Sequence, residues 1–154
     1  YLDKLSPVSR LLPAESRPLA MTKRWEALAD GVLDAAVAIF LEKKRDSTQQ
    51  NPGWIERQLG KMRRGVEAMA SDLGEKTWCN GESYSLADIA VGCSLNYLDL
   101  RFPHIKWREQ YPNLATLMAK LEAVRKGYAV LEPKPLKPPV FTNMLLKIYE
   151  RPPL

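Results

Sequence analysis

Histidine and cysteine are nearly missing from this chain: one His and two Cys in 154 residues. His104 has no second histidine and no acid beside it, so neither a metal site nor proton-transfer chemistry is expected there. Cys79 and Cys93 are too few for a disulfide framework. Cys93 falls in an apolar stretch and is expected to pack as a small hydrophobe, whereas Cys79 falls in a turn and is open to exposure. No helix start or basic neighbour is placed to activate either thiol. No apolar run approaches the roughly 18 residues that cross a bilayer, and no basic-then-apolar leader opens the chain. Repeats, a Gly-rich phosphate loop, a G-x-S-x-G elbow, zinc spacing and an EF-hand pattern are all lacking. So is any sustained strand-like alternation. A reducing cytoplasm is the simplest setting, with no membrane partner.

Charge is present but unfocused. The net charge is +5, yet Lys and Arg are spread along the chain among acids, with no basic stripe interleaved with aromatics. Nucleic acid is therefore not an expected partner. The tightest basic group is Arg57, Lys61 and Arg64, which share one helix face at i, i+4, i+7. It reads either as a solvated face or as a contact for an acidic partner surface.

With 45% apolar residues, the length suits one domain with a sizeable core. Trp25, Leu28, Ala29, Val32, Leu33, Ala36 and Phe40 follow a 3.6-residue period, which predicts a long amphipathic helix over 17–45 with Ser16 as its cap and Pro18 in its first turn. Gly31 is out of place there and predicts a close approach by a packed helix or a ligand. Asp30 and Asp34 stand one turn apart beside it. Like charges so placed are mildly unfavourable, which solvent, a basic partner or a polar substrate would offset. After a polar loop over 46–53, Ile55, Leu59, Met62, Val66, Met69 and Leu73 repeat at 4-3-4-3-4 spacing, with Gly74 closing the helix. Antiparallel packing against the first long helix is the expected use. Leu114, Leu117, Leu121 and Val124 define a further helix begun by Pro112 and stopped by Gly127.

The most informative segment is Ser85-Leu86-Ala87-Asp88-Ile89-Ala90. Ser85 and Asp88 have the spacing of a capping box, and Tyr84 and Ile89 that of a hydrophobic staple. From Ile89 to Leu100 the sequence is apolar on nearly every face, which predicts a helix enclosed by other helices. Pro133 to Pro139 reads as extended polyproline II, followed by a short amphipathic pattern through Tyr149. This tail is read as a segment docked on an apolar groove, as a proline-rich ligand, or as sequence foreign to the domain, the first being preferred.

Gly81 to Ala90, then Tyr97-Leu98, Arg101-Phe102-Pro103 and Tyr111-Pro112-Asn113-Leu114, resemble the C-terminal helical domain of a bacterial cytosolic glutathione transferase. Glu26 to Gly31 with Asp34-Ala35 resembles the first long helix of that domain. Tyr1 to Leu5 and Leu11-Leu12-Pro13 resemble the end of the preceding domain and its linker. The resemblance implies an all-α bundle around a central buried helix, with the N-terminal thioredoxin-like domain absent from this sequence. Its opening on Tyr1 rather than Met is read the same way. The implied organisation is a linker over 1–15, the helical domain over 16–132 and the proline-rich tail over 133–154.

In the family the thiol-activating residue and most glutathione contacts lie in the thioredoxin-like domain. No catalytic residue is assigned here, no cofactor is expected on this domain alone, and glutathione is the implied cosubstrate of the full-length enzyme. The resemblance assigns to this domain one wall of the pocket for a small electrophile and contacts of a homodimer, a role in detoxification chemistry. Trp25, Asp30, Asp34 and Val37 are the expected substrate-binding residues, with core packing the competing reading for Trp25 and a solvated edge for the two acids. Ser85 and Asp88 are expected to be structural. Arg125-Lys126-Gly127-Tyr128 departs from the family's usual turn, so the last helix is also open to running on past Gly127. Two other readings remain: a non-catalytic protein–protein docking module of the same fold, and a folded remnant with no activity of its own.

Overall fold

The computed structural model describes residues 2–5 and 10–131, and the tail expectation falls outside them. The helices are α1 (Leu2–Leu5), α2 (Ser16–Glu42), α3 (Pro52–Leu73), α4 (Leu86–Arg101), α5 (Trp107–Gln110) and α6 (Pro112–Leu131), with a 3-10 turn at Ser47–Gln49. Tyr1–Leu121 form one compact unit and Glu122–Leu154 a second, of which the end of α6 is described. Among the described residues the only strand-like pairing is one bridge between Trp78 and Gly81. No helix among them is long and apolar enough to cross a membrane.

Helix α2 is the spine, packing on α3 along one flank and on α4 along the other. It begins one residue earlier than expected. Glu15 stands at the N-cap and makes no side-chain cap bond. Pro18 supplies the reason: a Ser16 cap would need the N–H of residue 18, which proline lacks, or of residue 19. The Leu19 N–H already donates to Glu15 O at 3.0 Å. The helix stops at Glu42, short of the expected 45.

Helices α2 and α3 run antiparallel, as the short polar loop requires. At one end Glu42 accepts the Asn51 N–H at 2.9 Å. At the other, Arg24 meets Asp72 at 2.5 Å as an ion pair. Asn51 caps α3 by accepting the Trp54 N–H, Pro52 fills the first turn, and Gly74 ends the helix with φ +54°. Met62, Val66, Met69 and Leu73 carry the buried stripe, while Ile55 and Leu59 pack at its partly buried margin.

The close approach that Gly31 was expected to mark lies elsewhere. A Cβ at Gly31 would meet nothing within 4 Å, whereas one at Gly65 would overlap Val32 Cγ2. Gly65 on α3 therefore sets the spacing to α2. Similarly, Gly92 on α4 lies against α6, where a Cβ would come within 2.8 Å of Leu121 Cδ1. Helix α6 also runs through Gly127 to Leu131 and is not stopped by it.

Helix α4 buries Val91, Leu95 and Leu98 completely, but it is not sheathed all round. Cys93, Asn96 and Leu100 form an exposed edge, Leu100 at 68%. Apolar sequence on every face marks a helix with several packed sides, and here one remains open. Substitution at the two glycines separates their roles. Gly31→Ala is expected to raise stability by about 0.5–1 kcal/mol through helix propensity alone. Gly65→Ala is expected to lower it by about 1–3 kcal/mol through overpacking. Urea unfolding of the two variants beside the parent checks both signs.

Candidate functional site

The polar centre of the domain is built where the 78–85 loop meets the starts of α2 and α4. Asp88 is wholly buried. Its Oδ2 accepts the Ser85 N–H at 2.8 Å and the Ser85 hydroxyl at 3.1 Å, and its Oδ1 accepts the Cys79 N–H at 2.8 Å. Ser85 and Asp88 thus face each other as a capping box, of which the Asp88 half is the strong bond. The network continues outward. The Asn80 side-chain amide donates to Ser85 Oγ at 3.2 Å and to Thr22 Oγ1 at 2.7 Å, and Thr22 donates to Pro18 O. The Leu86 N–H donates to Leu11 O, while Asp3 accepts the Leu11 and Leu12 N–H groups, so the linker is tied to the same corner.

Cys79 lies inside this corner at 2% exposure, not in an open turn. Burial, and then the Asp88 carboxylate beside it, push its thiol far above the ordinary range. It is a packing group at every physiological pH. Cys93, expected in the core, is instead on the open edge of α4.

Two anchors fix the register of α2 on α4. Thr22 lies at Asn80 and Ser85 at the start, and the Arg101 guanidinium sits 4.4 Å over the Phe40 ring at the end. The helices therefore run parallel. Cys93 and Tyr97 lie eight and four residues before Arg101 on α4, Cys93 exposed and Tyr97 half-buried. On the wheel of α2, Asp30, Asp34, Leu33 and Val37 share the flank away from α3. Next round the wheel from Asp34 come Ala27, Gly31 and Leu28, which border the α3 groove beside Lys61 and Arg64. Asp30 and Asp34 are exposed, and Val37 is half-buried.

Trp25 is another matter. At 1% exposure its indole packs in the core and presents no surface to a ligand. On α2 the exposed Asp30 and Asp34 thus stand beside the half-buried Leu33 and Val37. Among the described residues no cluster of His, Cys, Asp and Glu could hold a metal.

Residues 52–120 match the family described as glutathione S-transferase, C-terminal domain. A glutathione S-transferase from Methylobacillus flagellatus KT, solved with glutathione bound, is 51% identical with a TM-score of 0.76, over 78% of this chain and 59% of that one. One from Methylobacterium radiotolerans, in complex with glutathione sulfonate, is 37% identical with a TM-score of 0.77, over 88% of this chain and 64% of that one. An uncharacterised transferase-like protein of Escherichia coli K12, YibF, is 29% identical over 86% of this chain and 65% of its own length. The helical domain is similar to the C-terminal domain of glutathione S-transferases. The chain spans 59 to 65% of the length of these relatives.

Of the residues expected at the site, Trp25 is buried, Asp30 and Asp34 are exposed and Val37 is half-buried. Within this transferase-type domain the buried network outweighs any single cap. Asp88→Ala strands two buried N–H groups and is expected to cost about 3 kcal/mol, against about 1 kcal/mol for Ser85→Ala. Equal losses in chemical denaturation would remove the special standing of Asp88. The thiols give a second test. Native protein treated with Ellman's reagent is expected to release one equivalent, abolished by Cys93→Ser, with Cys79 reacting only after unfolding.

Proposed function

We propose that this domain supplies the electrophile-facing wall of a glutathione transferase whose thiol-activating machinery lies in a thioredoxin-like domain outside this chain. The whole enzyme transfers the thiol of glutathione to small electrophiles in the cytoplasm, as a homodimer to which this domain contributes contacts. The observation that supports the reading is the outer face of α2, where Asp30 and Asp34 are exposed beside the half-buried Val37. The relatives solved with glutathione and glutathione sulfonate support glutathione as the cosubstrate.

The acids then act on selection rather than on the chemical step. Two exposed carboxylates one turn apart place a negative field over the flank, which disfavours anionic electrophiles and is damped by salt. The test uses residues 1–154 joined to a thioredoxin-like domain, assayed with glutathione and a panel of neutral and anionic aryl halides. Asp30→Asn with Asp34→Asn is expected to raise kcat/KM for the anionic members by about threefold to tenfold over the neutral ones. KM for glutathione stays unchanged. The 154-residue chain by itself is expected to show no conjugation. Activity of that chain alone, or no change in the ratio, refutes the assignment.

A second reading rests on Arg57, Lys61 and Arg64, all exposed on one face of α3. In a non-catalytic docking module this face meets an acidic protein surface. Charge reversal at Arg57 and Lys61 would abolish capture of a dominant partner in that case, and leave conjugation untouched in the first.

A further inference from the structure

A cleft of about 250 Å³ opens between α3, the end of α4 and the Phe102–Tyr111 segment, on residues that the proposed wall does not use. Its floor is apolar. Met62, Val66, Leu98 and Trp107 are all buried beneath it, and Ile105 and Tyr111 form half-buried sides. Arg63, Glu67 and Gln110 complete the rim.

The floor has no polar group to offer. The Trp107 indole N–H is committed to Asp99 Oδ1 at 2.8 Å, and the same carboxylate receives Arg108 at 2.7 Å. Arg108 also lies over the Trp107 ring at 4.5 Å, so the indole is pinned in place. At the rim the two charges are not equivalent. Arg63 already has an acid partner, Glu56, at 3.3 Å. Glu67 is exposed and pairs with no cation among the described residues. A fixed apolar slot with one uncompensated carboxylate at its mouth fits a ligand that is apolar at one end and cationic at the other.

We propose that this cleft binds a small primary amine, with an aryl or short alkyl body on Met62, Val66 and Trp107 and the ammonium at Glu67. The volume, just under the range of ordinary ligand pockets, limits the body to fragment size. The Gln110 side chain supplies a polar contact at the same rim. Anionic ligands of the same shape are disfavoured by the Glu67 carboxylate at the mouth.

The test titrates the full chain with 2-phenylethylamine, phenylacetate and 2-phenylethanol, followed by ¹⁵N NMR with the Trp107 indole signal assigned through Trp107→Phe. The amine is expected to saturate at about millimolar concentration, shift the Trp107 signal, and bind at least about threefold more tightly than the other two. Glu67→Gln should weaken the amine by about threefold, the scale of an exposed ion pair, and leave the alcohol unchanged. Ile105→Trp, which fills the slot, should abolish binding; if that variant does not fold, Glu67→Gln alone decides. Phenylacetate binding as tightly as the amine, an unchanged affinity in Glu67→Gln, or no saturable shift at Trp107 would overturn the proposal. None of these outcomes depends on glutathione conjugation, so the two assignments fail separately.

Discussion

A carboxylate in a dry interior is tolerable only where donors replace its lost water, and the corner of this domain is arranged around that requirement. Asp88 has no solvent contact and answers to two backbone N–H groups and a hydroxyl, drawn from the cap of its own helix and from the loop nine residues earlier. A cap that only began α4 would need a single bond. This one also holds the 78–85 loop closed. Through Asn80 and Thr22 it reaches the first turns of α2. The linker joins by the Leu11–Leu86 bond. Local helix initiation and tertiary docking are thus the same set of bonds, which is why the order of chain segments around α4 is so constrained.

From that corner α2 divides the molecule. Its inner flank meets α3 at a distance set by Gly65 against Val32, where the missing Cβ lets the backbones close. Its other flank runs parallel to α4 and ends on the Arg101–Phe40 contact. The buried residues of α2 include three alanines and Val32, with Trp25 and Ile39 as the large members. Small groups bring the neighbours near, and large groups fill the two ends. Little remains on the outer flank except charge and the half-buried Leu33 and Val37, and so the face open to another molecule is polar at its edge and apolar at its root.

Much of this architecture is legible in periodicity. The stripes on α2 and α3, the Gly74 stop and the Ser85–Asp88 spacing need only the chain itself. What misleads is the inference from residue type to environment. Cys93 sits among apolar letters and Cys79 beside polar ones, yet Cys93 is exposed and Cys79 buried. Hydrophobic character on all sides of α4 says that several sides pack, not which one is left open. Gly31 and Gly65 make the same point: a glycine inside a helix is equally anomalous at both, and only the partner helix decides which is needed. Trp25, legible as apolar and in phase, has a volume that suits the core and a position that seals it, so no surface role survives its burial.

The inventory of groups also bounds the kind of help this domain can give to a transfer reaction. Its buried thiol is held protonated by desolvation and by Asp88. Its one histidine, His104, is exposed beside the Phe102 ring. No described metal-binding cluster exists. On the proposed reading, the contribution of this domain would be differential binding of an electrophile as it approaches a thiolate held elsewhere. A rigid flank suits that task better than a loop. Helix α2 is held against α4 at both ends, by Thr22 through Asn80 and Ser85 and by Phe40 under Arg101, so on that reading an electrophile resting on α2 would be oriented by the same contacts that fold the domain.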